Sequence, residues 1–419
     1  MRKRVLVIAP HGSYRTVPFI TAAKSMNLDI LIASEGKHSI VDFYANGLHI
    51  NLHDLPEALT LIKEEAKNKP FVGIIGTDDS STELAAQAAQ ALNLPHNTVA
   101  AVQFTRRKDF ARQRLYENGV RVPKHTRIDL NSPVSTQIDS IEFPCVIKPI
   151  ALSASQGVIR ADNQQEFFLA CERIRRIVIK ENIDRELQRF LLVESFIPGI
   201  EVAVEGLLNS GQFQLLAIMD KPDPLNGPYF EETYYITPSR LSGETQQKIC
   251  EEVSLACQAY GLREGPVHAE CRINYEGVWI LEVAARTIGG LCSRLLHFST
   301  GYHLEELVLR HAMGDPIELK ISAEAAGVLM IPISKGGILR RVEGITAAQQ
   351  VTHIEQIDIQ IREGYELVPL PEGSSYLGFI FARGPSPDSV EEALRTAHQC
   401  LNFVIAPIWK GTVEFNSQT

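Results

Sequence analysis

Two glutamates set opposite each other in one hairpin constrain this chain more than any other feature. The run VHAECRINYEGVWILEVAARTIGGLCSR, from Val267 to Arg294, contains two apolar-rich strand candidates, Val267 to Ile273 and Val278 to Ala284. Between them Tyr275-Glu276-Gly277 suits a three-residue hairpin loop with Gly277 in the left-handed position. That loop sets a register in which Asn274 faces Val278, Arg272 faces Ile280, Glu270 faces Glu282 and His268 faces Ala284. Opposed carboxylates repel, so the arrangement calls for a cation. A shared Mg²⁺ answers the call, because it takes oxygen ligands and usually keeps substrate phosphates in its remaining positions. The other account of the same residues is two acids meeting by chance on an exposed strand face. Arg286, Gly289 and Gly290 follow directly, offering a cation and an amide-rich turn where a phosphoryl group or oxyanion needs donors.

The 419 residues are 45% hydrophobic and 22% charged, an ordinary globular balance with length for roughly two to four domains. A formal net charge of -9 argues against a nucleic-acid or anionic-membrane partner, both of which favour excess Lys and Arg. After Met1-Arg2-Lys3-Arg4 the apolar run stops at Pro10, too short for a signal sequence, and no stretch is long enough to span a bilayer. A cytoplasmic protein acting on small molecules is the expectation. The seven cysteines include no C-x-x-C pair, so neither a disulfide framework nor a structural zinc site is expected.

Residues 1–102 alternate strand and helix signals and predict a small parallel α/β layer. Pro10-His11-Gly12-Ser13 follows the first strand but lacks the spacing of a dinucleotide-binding loop. Thr77-Asp78-Asp79 ends another strand, either as a ligand contact or as a helix-capping turn. A helix is expected from about Thr105 to Gly119, with Arg106, Arg107 and Lys108 opposing the dipole in its first turn. The strand Phe143 to Pro149 carries Lys148, and Ala151 to Val158 is a small-residue loop whose amides and hydroxyls suit phosphate oxygens. Glu194 ends one strand and Glu201 opens the next, framing a connector that suits a nucleobase and ribose. On that second strand Glu205 reads as an ordinary polar face.

Lys108, then F-P-C-V-I-K-P ending after Lys148, a Ser/Gly loop, V-E-S-F-I-P-G-I-E-V with Glu194 and Glu201, H-A-E-C-R-I with Glu270, and I-L-E-V-A-A-R-T-I-G-G with Glu282 and Arg286 resemble the ATP-grasp superfamily. Within it the chain looks most similar to the carboxylate–amine ligases that join L-amino acids into dipeptides. The resemblance implies an α/β and α+β fold in three parts: a Rossmann-like pre-ATP-grasp domain at 1–102, a two-lobed ATP-grasp domain at 103–319 whose small lobe covers about 120–195, and a C-terminal α+β domain at 320–419. It implies ATP as cosubstrate and Mg²⁺ or Mn²⁺ as metal, with small carboxylate and amine substrates and a homodimer as the assembly to consider. Lys108 and Lys148 would meet the phosphates, with Ser153, Ser155, Gln156 and Gly157 in the loop covering them. Glu194, with Ser195, Phe196 and Ile197, would meet adenine, and Glu201 the ribose. Glu270 and Glu282 would ligate the metal, while Arg286 would steady the transferred phosphoryl group. His268 is a candidate phosphate or substrate contact or proton acceptor, with a structural histidine as the alternative; Gly289, Gly290 and Glu232 are substrate candidates. One position departs from the pattern: many members place a metal-binding Asn two residues after the second Glu, and this chain has Ala284.

Beyond Gly314, strand signals at Gly327 to Ile333, Ile338 to Arg341, Ile357 to Ile361 and Tyr376 to Ala382, then a helix from Ser389 to Leu401, read as a separate α+β domain. The function expected is ATP-dependent amide or peptide bond formation through an acyl phosphate. A carboxylase or purine-pathway ligase on the same nucleotide site is one alternative, and an ATP-binding regulatory module without catalysis is another.

Overall fold

The computed structural model of the chain describes residues 2–35, 46–181, 183–319 and 324–408. Its first layer follows from short apolar runs. β1 (Arg4–Ile8), β2 (Asp29–Ser34), β3 (Asn46–His49) and β4 (Gly73–Gly76) form a parallel sheet in the order β3-β2-β1-β4. Every residue of β1 is buried, as befits a central strand covered on both faces. Helices run over Thr16–Ser25 and Asp79–Ala91. A third, Leu55–Asn68, buries Ala58, Ile62 and Ala66 at a four-residue spacing, and Asp54 caps it by accepting from the Glu57 amide.

In place of one helix from Thr105 to Gly119 there are two, Val99–Arg106 and Lys108–Glu117. The break falls at Arg107, because the Lys108 amide turns aside to donate to the Ile150 carbonyl at 3.0 Å. Arg106 therefore closes one helix and only Lys108 opens the next, which removes most of the expected conflict with the dipole.

A small antiparallel sheet follows, built from β5 (His125–Asp129), β6 (Cys145–Pro149), β7 (Ile159–Ala161) and β8 (Phe190–Ser195) in the order β5-β8-β6-β7. The helix Gln164–Lys180 covers it, with Phe167, Ala170, Cys171, Ile174, Ile177 and Val178 on its buried stripe.

The largest sheet begins with β9 (Ile200–Asn209), β10 (Gln212–Lys221), β11 (Tyr234–Thr237), β12 (Gly265–Asn274) and β13 (Gly277–Ala284). The C-terminal strands are β14 (Ala325–Ile331), β15 (Gly337–Glu343), β16 (Ile354–Ile359), β17 (Glu366–Leu367), β18 (Gly378–Gly384) and β19 (Asn402–Ala406). β14 pairs with β11, so one sheet runs β13-β12-β9-β10-β11-β14-β18-β16, and only β17-β15-β19 stands apart. The C-terminal region is therefore not a separate sheet. It closes the edge that β11 would otherwise present. The stretch 320–323, on which the expected boundary falls, lies outside the described residues.

One hydrophobic core crosses these parts, joining Val5 and Val7 of the first layer to Ala203 and Met219 of the central sheet and to Val328 and Phe381 of its C-terminal extension. Among the described residues no helix is long and apolar enough to cross a membrane, and all seven cysteines are free thiols.

The first layer meets the body at Gly73, where an added Cβ would sit 2.4 Å from the Ala312 carbonyl oxygen. A Gly73→Val substitution should force β4 off the helix Leu304–Ala312 and cost about 1–3 kcal/mol, read as a lower urea midpoint at unchanged slope.

Candidate active site

The opposition of Glu270 and Glu282 is present, but it is reached by another route. The turn between β12 and β13 has two residues rather than three, with Asn274 paired to Gly277, Arg272 to Trp279 and Cys271 to Ile280. Gly277 has the expected positive φ, 131°, as the first residue of β13. Continued unbroken, that register would set Glu270 against Leu281 and turn Glu282 to the other face. A bulge between Glu270 and Cys271 restores Glu270 opposite Glu282 and His268 opposite Ala284.

Arg112, which no sequence motif singles out, secures this bulge. Its guanidinium donates to the Ile280 carbonyl at 2.8 Å, to the Leu281 carbonyl at 2.7 Å and to Glu194 Oε1 at 2.5 Å. Lys148 Nζ lies 2.6 Å from the second oxygen of Glu194. Burial alone would raise the pKa of Glu194, but Arg112 and Lys148 hold it down at about 2. Both Glu194 oxygens thus face cations, and the amides of Ser195 and Phe196 donate to the carbonyls of Lys124 and Pro144 within the small lobe. The expected adenine contacts are in this way bonded to protein, and Ile197 accepts from Arg272 through its carbonyl at 2.7 Å.

A second charge cluster surrounds Lys221, at the end of β10. Its ammonium lies 2.9 Å from Glu201 and 3.5 Å from Glu270, and it also bonds Glu232. Oxygens of Glu201, Glu232 and Glu270 all lie within 4.8 Å of one another. Arg272 takes the other oxygen of Glu201 at 2.7 Å, so the expected ribose ligand is also held between two cations. Burial, then the charge of Glu270, raises the pKa of Glu232 to about 7 against the pull of Lys221, and Tyr235 donates its hydroxyl to Glu232 at 2.8 Å. Glu282 faces a different lysine, with Lys108 Nζ at 3.4 Å.

Glu205 is not a solvent face. It is fully buried and bonds His268 Nδ1 at 2.5 Å, while His268 Nε2 lies 3.7 Å from Glu270. Burial pushes the pKa of His268 down, but Glu205 and then Glu270 raise it to about 9. Burial also raises the pKa of Glu205, so the imidazole and its two flanking carboxylates hold their protons as one group.

Arg286 bonds Asp79 at 2.9 Å, and Asp78 both caps the helix Asp79–Ala91 and pairs with Arg15. The turn after the second Glu is met from the first layer, where Tyr14 accepts from the Gly290 amide at 2.7 Å and Arg15 donates to the Ile288 carbonyl at 3.1 Å. Gly289 lies next to Tyr14 and Arg15 as well. In the small-residue loop, Ala154, Ser155 and Gly157 have φ of 53°, 55° and 72°, and Ser153 and Ala154 are exposed. Gln156 departs from its expected role. It is buried and bonds Glu181 and the Glu372 carbonyl instead of facing the cleft.

Lys108 with Glu282, Lys221 with Glu270 and Glu232, and His268 with Glu270 thus gather about the β12–β13 pair, while Arg286 just beyond β13 reaches Asp79 of the first layer. Such an arrangement can neutralise a multiply charged anion and orient an acid beside it.

Comparison with known proteins bears on the same segments. Residues 141–294 match the ATP-grasp domain, 329–406 match L-amino acid ligase C-terminal domain 2, and 21–96 match the ATP-grasp N-terminal domain. The chain is 22% identical over 342 residues to the uncharacterized protein y4rH of Sinorhizobium fredii, covering 81% of this chain and 70% of that one. It is 27% identical over 222 residues to the alanine–anticapsin ligase of Bacillus subtilis, covering 49% of this chain and 46% of the relative, so about half of that ligase is spanned. The crystal structure of the L-amino acid ligase from Bacillus licheniformis aligns with a TM-score of 0.80 at 25% identity, over 97% of this chain and 100% of that one.

Replacing Arg112 by Met leaves Glu194 buried beside a single cation and frees the bulge; a loss of about 3–5 kcal/mol in denaturant unfolding is expected. The pH dependence has a fixed sign. A carboxyl lowered from 4.5 to about 2 stabilises the fold fully above pH 4.5, and the contribution fades as pH falls towards 2. A Glu194→Gln variant should therefore lose about 3 kcal/mol of the difference in stability between pH 6 and pH 2, measured by urea titration at each pH.

Proposed function

We propose that this chain, an ATP-grasp protein resembling L-amino acid ligases in sequence and fold, joins a carboxylate to an amine at the cost of ATP, with amino acids or amino-acid-like acids as substrates. The observation that carries the proposal is the bulge-set opposition of Glu270 and Glu282, with Lys108, Lys221 and Arg286 around it. In the reaction, an oxygen of the substrate carboxylate attacks the terminal phosphorus of ATP and ADP leaves. The amine then attacks the acyl carbon, the amide bond forms and phosphate departs.

Glu270 and Glu282 suit a divalent ion. Their carboxylates are 24% and 32% exposed, and Lys221 and His268 keep Glu270 ionised although burial opposes it. Ala284 is buried and has no side-chain oxygen, so Glu270 and Glu282 would hold the ion without a ligand from that side chain, with Glu201 and Glu232 bringing further carboxylate oxygens within 4.8 Å of Glu270. Mg²⁺ or Mn²⁺, when held by them, supplies charge neutralisation to the transferred phosphoryl group. Lys108, paired with Glu282, and Arg286, paired with Asp79, bring positive charge. Exchange of carboxylate partners for phosphate oxygens lets each keep an anion throughout. His268, bonded to Glu205 through Nδ1 and 3.7 Å from Glu270 through Nε2, positions Glu270. Glu232, with its pKa near neutrality, is the carboxylate placed to receive a substrate ammonium or its proton.

The test is a panel of amino-acid pairs, and bicarbonate, scored for phosphate release, with mass spectrometry of the product. ADP, phosphate and an amide-linked product are expected with one or more pairs; phosphate release with bicarbonate alone would overturn the reading. Glu282→Gln should lower turnover by about 10²–10³-fold while leaving the urea midpoint unchanged, since its side chain is part-exposed.

A further inference from the structure

The loop Ser153–Gly157 is held at its two ends by different parts of the chain. At its start, the Lys108 amide donates to the Ile150 carbonyl at 3.0 Å and Lys108 Nζ donates to the Leu152 carbonyl at 2.8 Å. At its end, the Gly157 amide donates to the Pro371 carbonyl at 2.9 Å and the Gln156 side chain donates to the Glu372 carbonyl at 2.8 Å. Gln156 is only 6% exposed, so water does not compete easily for that bond. The acceptors both lie in the turn before β18, in the C-terminal region.

What fixes that turn is Arg173, on the small-lobe helix Gln164–Lys180. It grips the Glu372 carboxylate with two parallel bonds of 2.6 and 2.8 Å. The same guanidinium donates to the Tyr229 hydroxyl and lies 5.2 Å from the centre of that ring. Tyr229 belongs to the connection between β10 and β11 and bridges to Ile159 of β7. One side chain thus gathers the small lobe, the β10–β11 connection and the C-terminal turn.

Resting on the ligase reading above, we infer that Arg173 and Glu372 are positioning residues that hold the phosphate-covering loop shut, so that the C-terminal region governs water access to the acyl phosphate. Glu372 contributes the carboxylate that is gripped and a carbonyl that grips the loop, so a shift of this one residue releases Gln156 and loosens Gly157 together. The pair is matched to a closure that must reverse. At 36% and 37% side-chain exposure it is partly solvated and biases an equilibrium only a few-fold, whereas a dry pair would lock the loop and trap ADP.

The experiment compares Glu372→Gln, Arg173→Glu and the charge-swapped double variant R173E/E372R in the full chain. Lys248→Gln, which removes a surface pair with Glu244, is the control. Measured are KM for ATP, kcat, phosphate released per amide formed, and hydrogen exchange at the Gly157 amide. Both single variants should raise KM for ATP by about three- to tenfold with kcat changed by less than about twofold, release more phosphate per amide and exchange Gly157 faster. The swap should recover at least half of each change, and the control should show none. A scaffolding pair would lower the melting temperature and leave the phosphate-to-amide ratio as in the wild type; that result overturns the inference. Should the wild-type chain form no amide with any substrate pair, the ligase reading fails by itself. The pair is then judged by Gly157 exchange and by affinity for a non-hydrolysable ATP analogue, and no change in either overturns it.

Discussion

The site depends on a single extra residue in one strand. Leu281 makes β13 one residue longer than its partner needs, and the bulge turns Glu282 to the face of Glu270. A bulge leaves carbonyls with poor ladder geometry, and such groups need a donor when they are buried. Arg112 is that donor for Ile280 and Leu281, and with its remaining nitrogen it holds Glu194. The hairpin register and the position of the Glu194 carboxylate are thereby set by the same guanidinium.

Around this fixed point the charges are organised as paired opposites. Lys148 and Arg112 flank Glu194, Lys221 and Arg272 flank Glu201, Glu205 and Glu270 flank His268, and Arg286 faces Asp79. Buried charges would be costly if single, so each is partnered within the protein. A polyphosphate entering such a place substitutes one set of anions for another. The chain need not desolvate bare cations to receive it, and the cations arrive already oriented.

Much of this was legible in the sequence where local periodicity decides the outcome. The parallel first layer follows from continuous apolar runs, whereas the facing of Glu270 and Glu282, expected from a three-residue turn and an unbroken register, arises from a two-residue turn and a bulge that compensate each other. The bulge was not legible, because its cause lies in Arg112, 168 residues before Ile280. Glu205 was misread for a different reason. Alternation separates a wet face from a dry one only in a half-covered strand, and β9 is central, with every residue but its first and last buried. Arg107 broke the expected helix because a carbonyl on the small lobe attracts the next amide, a contact no window of sequence contains. The paired states of Glu194 and Glu201 were equally invisible, since Lys148, Arg112, Lys221 and Arg272 converge on them from separate elements.

The union of β11 with β14 has an implication for how such chains diversify. Because backbone ladder bonds cross from the central strands into the C-terminal ones, and Val328 and Phe381 share a core with Val5 and Met219, the tail is not an interchangeable cassette. A chimera joined at that seam would need matching pleat, twist and hydrophobic relief on both sides. New specificities are therefore more accessible by altering single turns than by recombining whole terminal segments.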